Sequence, residues 1–180
     1  IVHVSKNGAY YGALILNDRL KASSAETVAK LYDLNIEVAI LSGDRSETVG
    51  ALASQLNIDQ FFGDLKPKDK LVVVEKALER NSKLGKGGKI AFVGDGINDA
   101  PVIARADVGV AMGGIGSEAA IEAADIVLMR DEPIALINAI ALAKRTRGIV
   151  YQNIFMALSV KIAFMGLGLV GDRKSVVLGK

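Results

Sequence analysis

The stretch Lys89-Ile90-Ala91-Phe92-Val93-Gly94-Asp95-Gly96-Ile97-Asn98-Asp99-Ala100-Pro101 decides how this chain folds. Ile90 to Val93 is a short apolar run of the kind that forms a buried parallel strand. Gly94 and Gly96 then make a mobile turn, and Pro101 stands where a helix can begin. Asp95, Asn98 and Asp99 therefore fall at the carboxyl end of a strand, where open α/β sheets place their ligand sites. Hard oxygen ligands on such a turn suit Mg²⁺ and a phosphoryl group. The plain alternative is a polar strand-to-helix loop, because Asp and Asn are common caps and turn residues. For Asp95 alone the two readings compete; the eight-residue string from Gly94 to Pro101 favours the ligand site.

Working outward, strands alternate with helices. Tyr10–Leu16 is β-prone, Ser24–Leu34 places Val28, Leu31 and Leu34 on one helical face with Ser23 or Ser24 as cap, and Glu37–Leu41 is a strand ending at Ser42-Gly43-Asp44. Glu47–Leu56 reads as a helix with Val49, Leu52, Ala53 and Leu56 inward, followed by a strand at Asp59–Phe62. A helix at Lys68–Arg80 has Pro67 near its start. A polar glycine-rich turn, Asn81–Gly88, leads to the central strand. A short helix ending at Arg105, a strand at Val108–Ala111, a helix at Ser117–Ala123 and a strand at Ile126–Leu128 complete the pattern. This spacing predicts an α/β fold with a doubly wound parallel sheet.

From Glu132 the texture changes. Pro133 opens a helical pattern through Ala135–Ala143 that crosses Lys144-Arg145-Thr146-Arg147 and continues from Ile149 to Gly171. Those last 23 residues hold one charge, Lys161. About 20 mostly apolar residues suffice to cross a bilayer, and the cations before them suit a cytoplasmic flank. A buried core helix is the competing reading, but so small a soluble domain has little interior in which to hide it.

Bulk composition narrows the classes. The chain has 180 residues, 51% hydrophobic and 23% charged, with a formal net charge of +2. That excludes a disordered tail and gives no case for a nucleic-acid partner, which needs clustered cations on one face. There is no cysteine, so disulfides, zinc–thiolate sites and thiol catalysis are absent. The lone histidine, His3, lies in an alternating stretch and reads as a half-exposed strand residue. Residue 1 is Ile and no secretory n-region follows, so we expect a piece of a longer polypeptide.

Three strings would converge at adjacent strand ends. Ser42-Gly43-Asp44 offers a hydroxyl and a backbone open to close approach by a phosphoryl oxygen. Lys66-Pro67-Lys68-Asp69-Lys70 offers cations at a helix start, able to neutralise charge developing on a phosphoryl group. Singly, a turn and a solvated face explain the first two equally well; in this order with Gly94–Pro101 they are far more specific.

The set resembles the phosphorylation domain of P-type cation-transporting ATPases, built on the haloacid-dehalogenase fold. Ala106-Asp107-Val108-Gly109-Val110-Ala111-Met112-Gly113 and Ala124-Asp125-Ile126-Val127-Leu128 extend the resemblance to about residues 1–171. Tyr151-Gln152-Asn153 followed by Lys161 is similar to the subgroup exporting zinc, cadmium or lead, and the Tyr-Asn pair usual in copper pumps is missing.

The resemblance implies a division into residues 1–21 (end of a nucleotide-binding domain and hinge, with Asp18 and Lys21 in the hinge), 22–132 (phosphorylation domain), 133–148 (stalk helix), 149–171 (transmembrane helix) and 172–180 (a tail unlike the family). It implies Asp95 as a Mg²⁺ ligand, with Asn98 and Asp99 ordering the metal's water shell and the phosphoryl group. Ser42 and Gly43 would hold phosphoryl oxygens, Asp44 would help position ATP and Mg²⁺, and Lys70 would stabilise the transferred charge. Lys161 would stand near a transported heavy-metal ion; mid-span lysines cost roughly 2.5–3.5 kcal/mol to insert and so imply a partner or a task. The implied partners are that ion, membrane lipid and the remaining domains of the same polypeptide, with residues 1–148 cytoplasmic.

The family's Asp-Lys-Thr-Gly-Thr string is missing, so the chain alone is expected to turn over nothing. A free-standing phosphatase of the haloacid-dehalogenase type would need an Asp-x-Asp pair before Ser42, where only Asp18 and Asp33 occur. A pump for copper or another cation, or a non-catalytic membrane-anchored binding module, are further alternatives.

Overall fold

The computed structural model of the chain describes residues 2–14, 20–83, 88–94, 97–113 and 118–177. Contacts divide it into two units, residues 1–136 and 137–180.

The first unit opens with an antiparallel hairpin, β1 (Val2–Lys6) and β2 (Ala9–Leu14). Asn7 (φ 54°) and Gly8 (φ 79°) turn it, the left-handed pair that a two-residue hairpin requires. The predicted strand at Tyr10–Leu16 is thus β2, its last two residues lying outside the described ones. His3 is exposed on β1, with Nδ1 3.4 Å from the Tyr10 hydroxyl.

The alternating α/β pattern follows. Helix α1 (Ser24–Asp33) buries Val28 and Leu31, and α2 (Ser46–Leu56) buries Val49, Ala53 and Leu56, so both predicted faces turn inward. Ser23 occupies the cap position of α1, yet its hydroxyl caps nothing; its carbonyl accepts from the N–H and hydroxyl of Thr27 instead. Strands β3 (Ala39–Leu41) and β4 (Gln60–Phe62) pair in parallel, residue for residue. That register is why β3 is shorter than its apolar run, Val38–Leu41.

Helix α3 (Pro67–Lys83) starts on its proline and runs one turn beyond the predicted end. Strand β5 (Ala91–Gly94), a 3₁₀ turn (Ile97–Asp99), α4 (Ala100–Arg105), β6 (Val108–Met112), α5 (Glu118–Ala123) and β7 (Ile126–Leu128) complete the unit. β5, β6 and β7 form one parallel sheet in that order.

Two cores cover the strands. Val28, Ala53, Leu56 and Ile58 form one, joined by Ile40; Val74, Phe92, Val102, Ile103, Ala111 and Ala120 form the other, joined by Leu41. Adjacent strand residues point to opposite faces, so Ile40 and Leu41 show β3 covered on both sides, as a doubly wound sheet demands. A fully buried side chain of this size contributes about 1.5–3 kcal/mol. Helix α4 lies so close to β6 that a Cβ on Gly109 would stand 2.5 Å from the Ile103 carbonyl oxygen.

The parallel strands fall in two ladders: among the described residues, β3 has only β4 beside it and β5 only β6. Leu41 nevertheless packs on the cluster that contains Phe92. The strands share an interior while the hydrogen-bonded ladder is interrupted between them.

The second unit is occupied by α6 (Ile134–Val177), one helix of 44 residues. It is continuous across the predicted stalk–membrane boundary at 148–149 and runs past Gly171 to Val177. Ile134–Gly168 is long and apolar enough to cross a membrane, and none of its apolar window is buried. Residues 178–180 of the predicted tail lie outside the described residues.

Candidate active site

The site residues stand at the carboxyl ends of β3 and β5 and at the start of α3. After β3 the chain turns sharply at Ser42, whose N–H donates to the Phe62 carbonyl while its own carbonyl accepts from Leu65 N–H. The Ser42 hydroxyl donates to Asp44 Oδ2 at 2.9 Å and accepts from Asp44 N–H at 3.1 Å. Gly43 is needed for space, since a Cβ there would meet the Leu65 carbonyl at 3.2 Å. Asp44 and Gly43 are exposed and Ser42 half-buried, leaving the hydroxyl and backbone open to a ligand.

Helix α3 brings in the cation. Asp69 accepts the Lys66 N–H at 3.0 Å, closing the first turn. One position on, Lys70 extends Nζ to Asp99 Oδ1 at 2.8 Å, and the two side chains are only 16% and 14% exposed. An ion pair so shielded from water is stronger and more directional than a surface pair. Asp99 ends the 3₁₀ turn after β5, and Gly94 makes room for it. A Cβ on Gly94 would come within 2.9 Å of Asp99 Cβ and 3.1 Å of its Oδ2. Asn98 is exposed beside it.

The structure therefore joins Lys70 to Asp99 and Ser42 to Asp44. Among the described residues no hydrogen bond links one pair to the other. Asp95 and Asp18, the latter expected in a hinge, lie outside the described residues. Lys21, expected beside it, pairs with Asp131, and Lys161 is exposed on α6.

No cluster of three or more metal-binding side chains occurs among the described residues. Magnesium does not require one, since it keeps several waters and takes one or two carboxylates plus phosphate oxygens. The hard oxygens of Asp44, Asn98 and Asp99 fit that chemistry.

Three carboxylates outside this set hold the frame. Asp64, in a left-handed conformation (φ 55°), accepts the Ser46 N–H at 2.9 Å and so caps α2 from another segment. That N–H, the Ser46 hydroxyl and the Arg45 charge keep its carboxyl below the ordinary value, against a small opposing effect of burial. Asp107 accepts the Ile90 N–H and the Lys89 ammonium, in that order of effect, and is likewise held low. Asp125 accepts the Gly109 N–H at 2.8 Å. The capping role of Asp64 was not foreseen. Its one signal is an Asp directly after Gly63 at a strand end, a place where the left-handed conformation is tolerated.

The comparisons agree with the motif reading. A family profile described as haloacid dehalogenase-like hydrolase matches residues 1–107. The chain is 53% identical over 172 residues to a cadmium, zinc and cobalt-transporting ATPase of Bacillus subtilis (strain 168), covering 95% of this chain and 24% of that protein. It is 44% identical to a zinc-transporting ATPase of Synechocystis, with 95% and 23% covered. A crystal structure of a zinc-transporting PIB-type ATPase in its E2.Pi state superposes with a TM-score of 0.75 at 36% identity, covering 94% of this chain and 26% of that one. The chain thus spans about a quarter of the length of these relatives.

Proposed function

Given that the chain belongs to the haloacid dehalogenase-like hydrolase family, we propose that it is the phosphoryl-handling and membrane-entering part of an ATP-driven heavy-metal exporter. The whole protein would move Zn²⁺, Cd²⁺ or a similar divalent ion across the cell membrane through an aspartyl-phosphate intermediate. The observation that carries this reading is the shielded Lys70–Asp99 pair at the carboxyl edge of β5. A cation fixed there has the placement and the water exclusion needed to oppose charge developing on a phosphoryl group.

Within this reading Ser42 Oγ and the Gly43 backbone bind phosphoryl oxygens, and Asp44 orients the nucleotide. Lys70 holds transferred charge while Asp99 holds Lys70 in line. Asp95, Asn98 and Asp99 would hold Mg²⁺, which when bound supplies Lewis-acid neutralisation of phosphoryl oxygens. The interrupted ladder between β3 and β5 supports a strand from elsewhere in the polypeptide lying there, with the phosphorylated aspartate at its end. Residues 1–21 close the nucleotide-binding domain, 22–132 form the phosphorylation domain, 133–148 the stalk and 149–171 the membrane span, with residues 1–148 cytoplasmic. The exposed apolar length of α6 and the identity to zinc and cadmium pumps support the membrane setting and the subgroup.

The test is metal-stimulated ATP hydrolysis and acid-stable phosphoenzyme formation by the longer polypeptide that contains this chain, beside the 180-residue chain alone. We expect zinc-stimulated turnover and phosphoenzyme in the former and neither in the latter. Pump-like ATP hydrolysis by the chain alone would sink the proposal.

A further inference from the structure

Helix α6 carries a cluster of cations to which the transport reading gives no task beyond marking the cytoplasmic flank. Lys144, Arg145 and Arg147 are all exposed, and among the described residues none of them is ion-paired. No acidic residue lies between Glu132 and Asp172, so no carboxylate within helical reach can serve them. Lys144, Arg147, Gly148 and Tyr151 fall at i, i+3, i+4 and i+7, which is one stripe of a helix. The Arg147 guanidinium lies 5.5 Å from the centroid of the Tyr151 ring, the cation–π arrangement that fixes a guanidinium in place. Between these groups Gly148 presents bare backbone, and a Cβ there would meet nothing within 4 Å. The stripe is a notch: two cations, an aromatic wall and an open floor, about 10 Å long.

We propose that this notch seats the phosphate headgroup of an anionic phospholipid. Two placements favour a lipid over an acidic protein segment. The notch abuts the apolar run that starts at Ile149, and Tyr151 is the residue type that sits at headgroup level in membrane proteins. Lys144 and Arg147 oppose the phosphate charge, Tyr151 holds Arg147 in place, and Gly148 lets the phosphate approach the helix. Arg145 lies off the stripe and contributes only diffuse attraction. The inference rests on α6 spanning a membrane and goes beyond the transport reading, which needs no particular lipid.

The experiment reconstitutes the full 180-residue chain in nanodiscs of equal phosphatidylglycerol and phosphatidylcholine and counts, by native mass spectrometry, the lipids retained after extraction. The wild-type chain should retain phosphatidylglycerol preferentially. Each of the two cations of the notch should contribute about fivefold, so Lys144→Gln/Arg147→Gln should cut the preference roughly 25-fold. Gly148→Leu leaves every charge in place and favours the helix, yet should lose most of the preference by filling the notch; Arg145→Gln should lose far less. Millimolar inorganic phosphate should not compete. An equal loss in Arg145→Gln, no loss in Gly148→Leu, competition by free phosphate, or no preference in the wild type each overturns the proposal, the last leaving the stripe to an acidic protein. Failure of the chain to insert into bilayers of phosphatidylcholine alone overturns instead the membrane reading beneath it.

Discussion

Lys70 and Asp99 are 29 positions apart in sequence, and their side chains meet at 2.8 Å with only 16% and 14% of their surfaces exposed. Removing one partner leaves a poorly hydrated charge, which costs more than the pair contributes by its presence. We expect Lys70→Met to lower unfolding free energy by about 2 kcal/mol, and Lys70→Met/Asp99→Asn to lower it by less than the sum of the single changes. In the longer polypeptide Lys70→Met should slow phosphoryl transfer by about two to three orders of magnitude. Strict additivity in the double-mutant cycle would show the pair to be uncoupled.

Gly94 should tolerate nothing larger than hydrogen. Its absent Cβ would stand 2.9 Å from Asp99 Cβ and 3.2 Å from the Phe92 ring. Gly94→Ala is expected to cost about 1–3 kcal/mol by overpacking and to dislodge Asp99 from Lys70. Gly88→Ala is the control, because its Cβ would meet Asn81 at an ordinary 3.6 Å, and its midpoint in denaturant should barely move.

Acid should loosen the first unit through Asp64 and Asp107. Both carboxyls titrate below the ordinary 3.8 because each accepts a backbone N–H, of Ser46 and Ile90 respectively. The unfolded chain therefore binds their protons first as pH falls, so stability rises with pH across the window between the two values. Their contribution should be complete well above about pH 4 and fall away progressively as pH drops from there through the lowered folded values. Urea midpoints from pH 6 to pH 3 should fall less steeply for Asp64→Asn/Asp107→Asn than for the wild type; parallel slopes would remove both residues from the account.

Lys161 tests the choice of subgroup. A lysine inside the apolar stretch of α6 costs roughly 2.5–3.5 kcal/mol to insert, so Lys161→Ala should ease insertion while impairing zinc export by the longer polypeptide. Unchanged zinc tolerance in cells carrying the substitution would withdraw the zinc–cadmium–lead assignment.

Element identity was legible wherever burial is periodic. Ile126–Leu128 is found with the predicted bounds, and the predicted inward faces of α1 and α2 are the buried ones. Neighbourhood was not legible. Apolar alternation marks a strand but does not say which strand lies beside it, so the interruption between β3 and β5 could not be read from residues 39–41 and 91–94. Strand ends were overextended for a related reason: β3 stops pairing at Ala39 because its partner starts at Gln60, although Val38 is as apolar as Ile40. Of the site, Lys70 and Asp99 could be linked only through the order of their motifs, since spacing carries no distance across 29 residues. The Asp64 cap on α2 was hidden because a capping side chain is ordinarily sought next to the helix it serves, not 18 residues away.

The broken ladder has a consequence for the chain's life before assembly. Among the described residues, β3 and β5 each present one border of main-chain amides and carbonyls with no neighbouring strand, and such borders template pairing with whatever backbone arrives first. Isolated copies of the chain should therefore adhere to one another at raised concentration.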